Sequence, residues 1–210
     1  MKVVAFNGSP KSKGNTYQAI RAVADELEKN GIEVEIVHVG NQVIRGCMAC
    51  DGCARNQNEL CVMKQDSVNE WIQKMKAADG IILGSPVHFS AIGGTMKSFL
   101  DRAFYVASVN QGLFRHKVGV SVVADRRAGT AVFDQLNNFI NYSEMVMPSS
   151  NYWNVAYGTE PGDVTQDAEG MQIMRVLGQN MAWLLHVMHA GASVVKPPKR
   201  EEKTFMNFIR

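Results

Sequence analysis

The chain reads as an α/β protein with a doubly wound sheet of five parallel strands, order 2-1-3-4-5, and helices on both faces. Short apolar runs alternate with stretches of helical periodicity along its 210 residues, the pattern of a parallel sheet wrapped by helices. A turn rich in glycine and hydroxylic residues follows the first apolar run at 6–16, and a second segment of binding character follows the third run at 84–95. Ligands of such sheets sit beyond the carboxyl ends of the first and third strands, where the winding reverses, so these two segments belong together.

The first strand covers about 2–6, with Val3, Val4 and Ala5 at its centre. The helix after it puts Thr16, Ala19, Ile20, Val23 and Leu27 on one face and ends at Gly31. Residues 32–39 alternate apolar side chains with Glu and His, which suits a more exposed second strand. A long excursion at about 40–65 carries every cysteine. Asp66 or Ser67 caps a helix through Trp71, Ile72 and Met75, and 80–84 is a short, wholly apolar third strand. Thr95 opens a helix with Met96, Phe99, Leu100, Ala103 and Phe104 inward. Strand four is 118–123, and Val132, Phe133, Leu136, Phe139 and Ile140 mark the next helix. The fifth strand is expected near 144–147, with irregular chain over 148–167. A last helix runs from Met171 to Met188, its His186 and His189 read as packing residues, and 196–210 is a polar tail.

The first loop, Phe6-Asn-Gly-Ser-Pro-Lys-Ser-Lys-Gly-Asn-Thr16, builds an anion site largely from uncharged donors. A helix starting near Thr16 leaves its first N–H groups unpaired and presents the positive end of its dipole. Ser9, Ser12, Asn15 and Thr16 add side-chain donors, and Gly8 and Gly14 allow close approach of the backbone. Five residues separate Gly8 from Gly14, and Asn15 stands where a nucleotide-triphosphate loop needs lysine. No acidic residue ends the second strand, where Val39 and Gly40 sit, so the dinucleotide pattern is missing too. A terminal phosphate that is held and not transferred fits what remains.

With 46% hydrophobic residues the chain can bury one full core, so 1–210 reads as a single domain. Its 22 Lys and Arg nearly cancel 20 Asp and Glu, which removes any overall pull toward nucleic acid or a membrane surface. No apolar stretch reaches bilayer length, and the chain enters a strand without a secretory leader, so a cytoplasmic location is expected. The four cysteines crowd into Cys47-x2-Cys50-x2-Cys53-x7-Cys61, unlike a secreted disulfide framework. Such spacing lets four thiolates face one centre, which suits an iron–sulfur cubane more than zinc with its two separated pairs. The residues alone leave cluster, zinc and free thiols open.

Three segments together resemble the NADPH-dependent FMN reductase and iron–sulfur flavoprotein branch of the flavodoxin-like superfamily. They are Asn7-Gly-Ser-Pro-Lys11 with Gly14-Asn15-Thr16, then Gly84-Ser-Pro-Val87, and Met96-Lys-Ser-Phe-Leu-Asp-Arg102. The resemblance implies that Ser9, Lys11, Gly14, Asn15 and Thr16 hold the FMN phosphate. It also implies that Pro86, Val87, His88 and Phe89 face the isoalloxazine, with His88 standing where the family usually has tyrosine. The loop after strand four, with Ala124, Arg126 and Gly129, is a weaker match that would complete the site; Arg126 and Arg127 read equally well as surface cations. Cys47, Cys50, Cys53 and Cys61 resemble the compact motif that holds a [4Fe–4S] cluster in iron–sulfur flavoproteins. Lys97, Asp101 and Arg102 read as structural, Lys97 and Asp101 as a helical ion pair.

The function expected from this is FMN-dependent oxidation of NAD(P)H, or electron entry from a redox protein such as ferredoxin through the cluster. The acceptor would be free flavin, a quinone or an oxygen species. No acid–base side chain is nominated, because the redox chemistry belongs to the flavin. Two other readings stay open: an electron carrier without turnover, and a zinc-stabilised binding module. The aromatic stretch Tyr152-Trp153-Asn154 with Tyr157 has interface composition and reads equally well as a roof over the same chain's flavin; a homodimer or homotetramer is expected.

Overall fold

Val3, Val4, Ala5 and Phe6 are completely buried, as the middle strand of a covered sheet requires. The computed structural model describes residues 1–206. Along the chain it runs β1 (Lys2–Asn7), α1 (Asn15–Lys29), β2 (Glu33–His38), α2 (Gly52–Asn56), α3 (Val68–Ala77), β3 (Gly80–His88) and β4 (Ala91–Ile92). Then come α4 (Gly94–Val109), β5 (Val118–Asp125), α5 (Gly129–Tyr142), β6 (Val155–Tyr157), a 3-10 turn (Asp163–Gln166) and α6 (Ala168–Gly191).

The sheet order is β2-β1-β3-β5-β6, every one of these pairings parallel. Counting parallel strands alone, this is the expected 2-1-3-4-5 winding. β2 lies at one edge with only Val37 buried, which explains its alternating Glu and Val. Helices α1 and α6 cover one face, where Ile20, Val23 and Leu27 pack with Leu177, Met181 and Leu185. The other face is covered by α3, α4 and α5, with Ile72, Met75, Phe99, Leu100, Leu136 and Ile140 buried together. Each such side chain contributes about 1.5–3 kcal/mol of burial, so both layers are needed to hold the sheet.

Three expectations are corrected. The fifth parallel strand is β6 at Val155–Tyr157, whereas near 144–147 only Val146 bridges to Val118. Interspersed Asn, Tyr and Gly hide this three-residue strand from a periodicity reading. The third strand does not stop at 84: it continues through Pro86 to His88 and turns back as β4, an antiparallel hairpin arm. His186 and His189 are exposed, and His186 binds the Asn30 carbonyl through Nε2 at 3.1 Å instead of packing inward. The polar tail is exposed over 196–206, and its last four residues, 207–210, lie outside the described residues. Among the described residues no helix is long and apolar enough to cross a membrane.

Candidate functional site

The loop after β1 is shaped by its own side chains. Asn7, fully buried, accepts from the Ser9 N–H at 3.1 Å and donates to the Ser12 carbonyl at 3.1 Å. Ser9 Oγ accepts from the Lys11 N–H at 3.2 Å, and His38 Nε2 reaches the Ser9 carbonyl at 2.8 Å from the end of β2. Gly40 is required beside them, since a Cβ there would lie 2.1 Å from the Ser9 carbonyl oxygen and 2.4 Å from that of Gly8. The first helical bond of α1 runs from Gln18 to Gly14, and Gly14 supplies no side-chain cap. Among the described residues, the Asn15, Thr16 and Tyr17 amides therefore find no protein acceptor. Three orphan donors at the positive end of a 15-residue helix form an anion cradle.

Ser9, Gly14 and Thr16 are buried in this loop, while Lys11 is exposed at its rim. The Asn15 side chain points elsewhere: Nδ2 donates to Glu160 O at 2.9 Å, and Oδ1 accepts from Gly162 N at 2.9 Å. It thus fastens the 158–164 segment to the start of α1, a wall that sequence reasoning missed because the partners lie 145 positions apart.

The second wall is the β3–β4 hairpin. Gly8 N donates to Gly84 O at 2.8 Å, so the cradle and the hairpin base touch. Pro86 and Val87 are half-buried, and His88 and Phe89 are exposed, Phe89 completely. Phe89 and Ser90 have φ of 50° and 59°, the left-handed pair that a two-residue hairpin turn demands. Glycine and asparagine usually occupy such turns; a phenylalanine there carries about 1–3 kcal/mol of strain. Gln135 of α5 offsets it by donating to Ser90 O and accepting from Ile92 N, both at 3.2 Å.

Ala124 is in register with Pro86, which brings the loop after β5 alongside the hairpin. Gly129 is buried at the start of α5, whereas Arg126 and Arg127 are exposed. Asp125, beside them, is 5% exposed, and among the described residues neither carboxylate oxygen has a hydrogen-bond partner. Burial pushes its carboxyl above the ordinary value, and the nearby Gly129 amide offsets only part of this.

All four cysteines line one cavity of about 20 Å³ together with Asp51, Arg102 and Tyr105. Cys53 and Cys61 are buried, Cys47 and Cys50 exposed, and all are free thiols. Burial pushes the Cys53 thiol up, and the nearby Cys61 and Cys47 add to it. Among the described residues no three Cys, His, Asp or Glu side chains converge on one metal-sized point. The donor set, four soft thiols lining one cavity, fits an iron–sulfur group in its chemistry. Side chains hold this segment in place. Asn69 Oδ1 accepts from Cys61 N at 2.7 Å, Asn110 Oδ1 accepts from Glu59 N at 2.9 Å, and Gln57 Nε2 donates to Val109 O at 2.8 Å. Tyr105 donates to the Asp51 carboxylate, which holds its phenol up at about 12. The Lys97–Asp101 ion pair forms at 2.6 Å on the surface of α4.

An anion cradle at the winding reversal, an aromatic-tipped hairpin beside it and a parallel 2-1-3-4-5 sheet define a flavodoxin-like protein. The NADPH-dependent FMN reductase family model matches residues 1–160, and the chain belongs to that family of FMN-dependent oxidoreductases. It is 33% identical over 190 residues to an iron-sulfur flavoprotein of Methanocaldococcus jannaschii, covering 87% of this chain and 96% of the relative. It is 30% identical over 177 residues to an iron-sulfur flavoprotein of Archaeoglobus fulgidus, covering 83% and 86%. Among solved structures, RosB with a bound riboflavin-phosphate intermediate superposes with a TM-score of 0.69 at 16% identity, covering 100% of this chain and 94% of that one. An archaeal flavodoxin superposes at 0.58 and 14%, covering 89% and 99%. Both likenesses are of fold.

Proposed function

We propose that the protein binds FMN in this cradle and oxidises NAD(P)H, with a [4Fe–4S] cluster on Cys47, Cys50, Cys53 and Cys61 as a second electron carrier. The observation that carries the reading is the set of three unpartnered amides opening α1, framed by Ser9 and Gly14 and touching the β3 hairpin. Bound FMN supplies hydride acceptance and one-electron transfer, and the protein's part is to hold and shape its surroundings. The Asn15, Thr16 and Tyr17 amides and Ser9 bind the phosphate, with Lys11 at the rim. Pro86 and Val87 form a flat apolar wall for the ring, and His88 and Phe89 stand where a nicotinamide or acceptor enters. In this reading Ala124, in register with Pro86, and Gly129 would close the far side, and the exposed Arg126 would meet an incoming nucleotide phosphate. Free thiols in one segment suit a reducing compartment such as the cytoplasm.

The iron-sulfur flavoprotein names of the relatives and the exposure of Cys47 and Cys50 favour a second reading, an electron carrier served by a ferredoxin. Exposed Tyr152, Trp153 and Tyr157 support self-association as a homodimer or homotetramer.

Anaerobically isolated protein is expected to show an oxidised-flavin spectrum and bind FMN with one-to-one stoichiometry. Gly40→Ala is expected to weaken FMN binding by roughly 1–3 kcal/mol, because its methyl displaces the Ser9 backbone without touching any ligand. Protein that takes up no flavin from excess FMN sinks the proposal. Rapid NADPH or NADH consumption separates the enzyme from the carrier, and zinc without iron points to the binding module.

A further inference from the structure

Among the described residues Arg102 is the largest side chain that the fold buries almost completely, and it lines the cysteine cavity. A buried guanidinium must place five N–H donors. Nη1 donates to Asp66 Oδ2 and to Arg45 O at 3.3 Å. Nη2 donates to Asp66 Oδ1 and to Met63 O, each at 3.1 Å. The fifth donor, Nε–H, has no acceptor among the described residues.

The two carbonyls are informative by position. Arg45 stands two residues before Cys47, and Met63 two residues after Cys61. One side chain, anchored on α4, therefore closes the cysteine segment at both ends. An ion pair kept only for stability needs neither carbonyl, and a buried pair of this kind is often replaceable by apolar side chains at little cost. The leftover donor matters as well: a buried N–H without a partner is costly, and Arg102 lines the same cavity as the four thiols, with Cys61 close enough to act on its charge.

Building on the iron–sulfur reading above, we propose that Arg102 is the positioning residue of the four-cysteine site. It staples both ends of the segment and holds a positive charge on the wall of the cavity whose thiols would bind the cluster. A cation held in a low-dielectric interior stabilises added negative charge nearby, so Arg102 raises the cluster's reduction potential, and Asp66 opposes it.

The test uses the full chain reconstituted anaerobically with iron and sulfide, as wild type, Arg102→Lys, Arg102→Gln, Asp66→Asn and the Arg102→Gln/Asp66→Asn double variant. FMN stoichiometry reports that each variant is folded, and the double variant, which removes both charges together, serves where a single one fails to fold. All Arg102 variants are expected to lose iron to a chelator 10–100-fold more readily than wild type. The cluster midpoint, followed by electron paramagnetic resonance during redox titration, is expected to move negative in Arg102→Gln and positive in Asp66→Asn. Variants that keep iron as firmly as wild type, or two midpoints that move the same way, overturn the role assigned to Arg102. Wild-type protein that binds FMN but no iron after reconstitution overturns the iron–sulfur reading itself, and this inference with it.

Discussion

Asp125 is at odds with its surroundings, a carboxylate sealed at the end of β5 without a hydrogen-bond partner among the described residues. Because burial raises its folded-state pKa above the unfolded value, the folded state binds the proton more tightly. The cost is therefore present above the raised value and fades as pH falls toward the ordinary carboxylate range near 4. Asp125→Asn removes the charge at constant shape. It is expected to stabilise the fold by about 1 kcal/mol at pH 8, a gain that shrinks at pH 4, measured by urea unfolding at both values. Nothing in the sequence distinguishes Asp125 from its neighbours Arg126 and Arg127, which turned out to be exposed. Sequence shows which residue types crowd a loop, whereas the pleat of the strand decides which one points inward. Arg102 is a parallel case: helical spacing suggested a structural role without saying where, and only the packing of α4 shows the side chain to be enclosed.

At the scale of elements, α1, α3, α4, α5 and α6 were legible because each carries an apolar stripe at steps of three and four, and each stripe is buried. The hairpin was not legible. Its turn uses Phe89 and Ser90 where a glycine or asparagine would have announced it, and Gln135, which secures it, lies 45 positions from Ser90. Gln135→Ala is expected to cost the hairpin about 1–2 kcal/mol of local stability while leaving the sheet intact. Hydrogen exchange should then quicken at 88–92 and remain slow in β1 and β5. Equal protection in both proteins would show that the turn holds itself. The missing fifth strand has a different cause: three residues are too few for any periodicity, and β6 is defined by ladder bonds to β5 alone.

For the whole molecule, the cradle rests on an aromatic cluster under the sheet. Phe6 lies 4.7 Å from Phe99 between ring centres, and Trp71 meets Phe99 edge-on at 5.3 Å. These rings join β1, α3 and α4, the elements that lead into the loop after β1 and border the cysteine segment. Phe99→Ala is expected to destabilise the protein by about 3–5 kcal/mol in chemical denaturation and to weaken FMN retention in parallel. A variant that lost stability but held flavin as before would uncouple core from cradle. The cysteine segment differs from this arrangement: no named strand lies within it, and side-chain hydrogen bonds from Gln57, Asn69, Lys76, Arg102, Tyr105 and Asn110 tether it while Cys53 and Cys61 sit in the core. Its grip on the body of the protein is thus a handful of separable latches. Weakening them one by one would loosen the four thiols while the loop after β1 kept its form, so the two parts of the molecule can change independently under mutation.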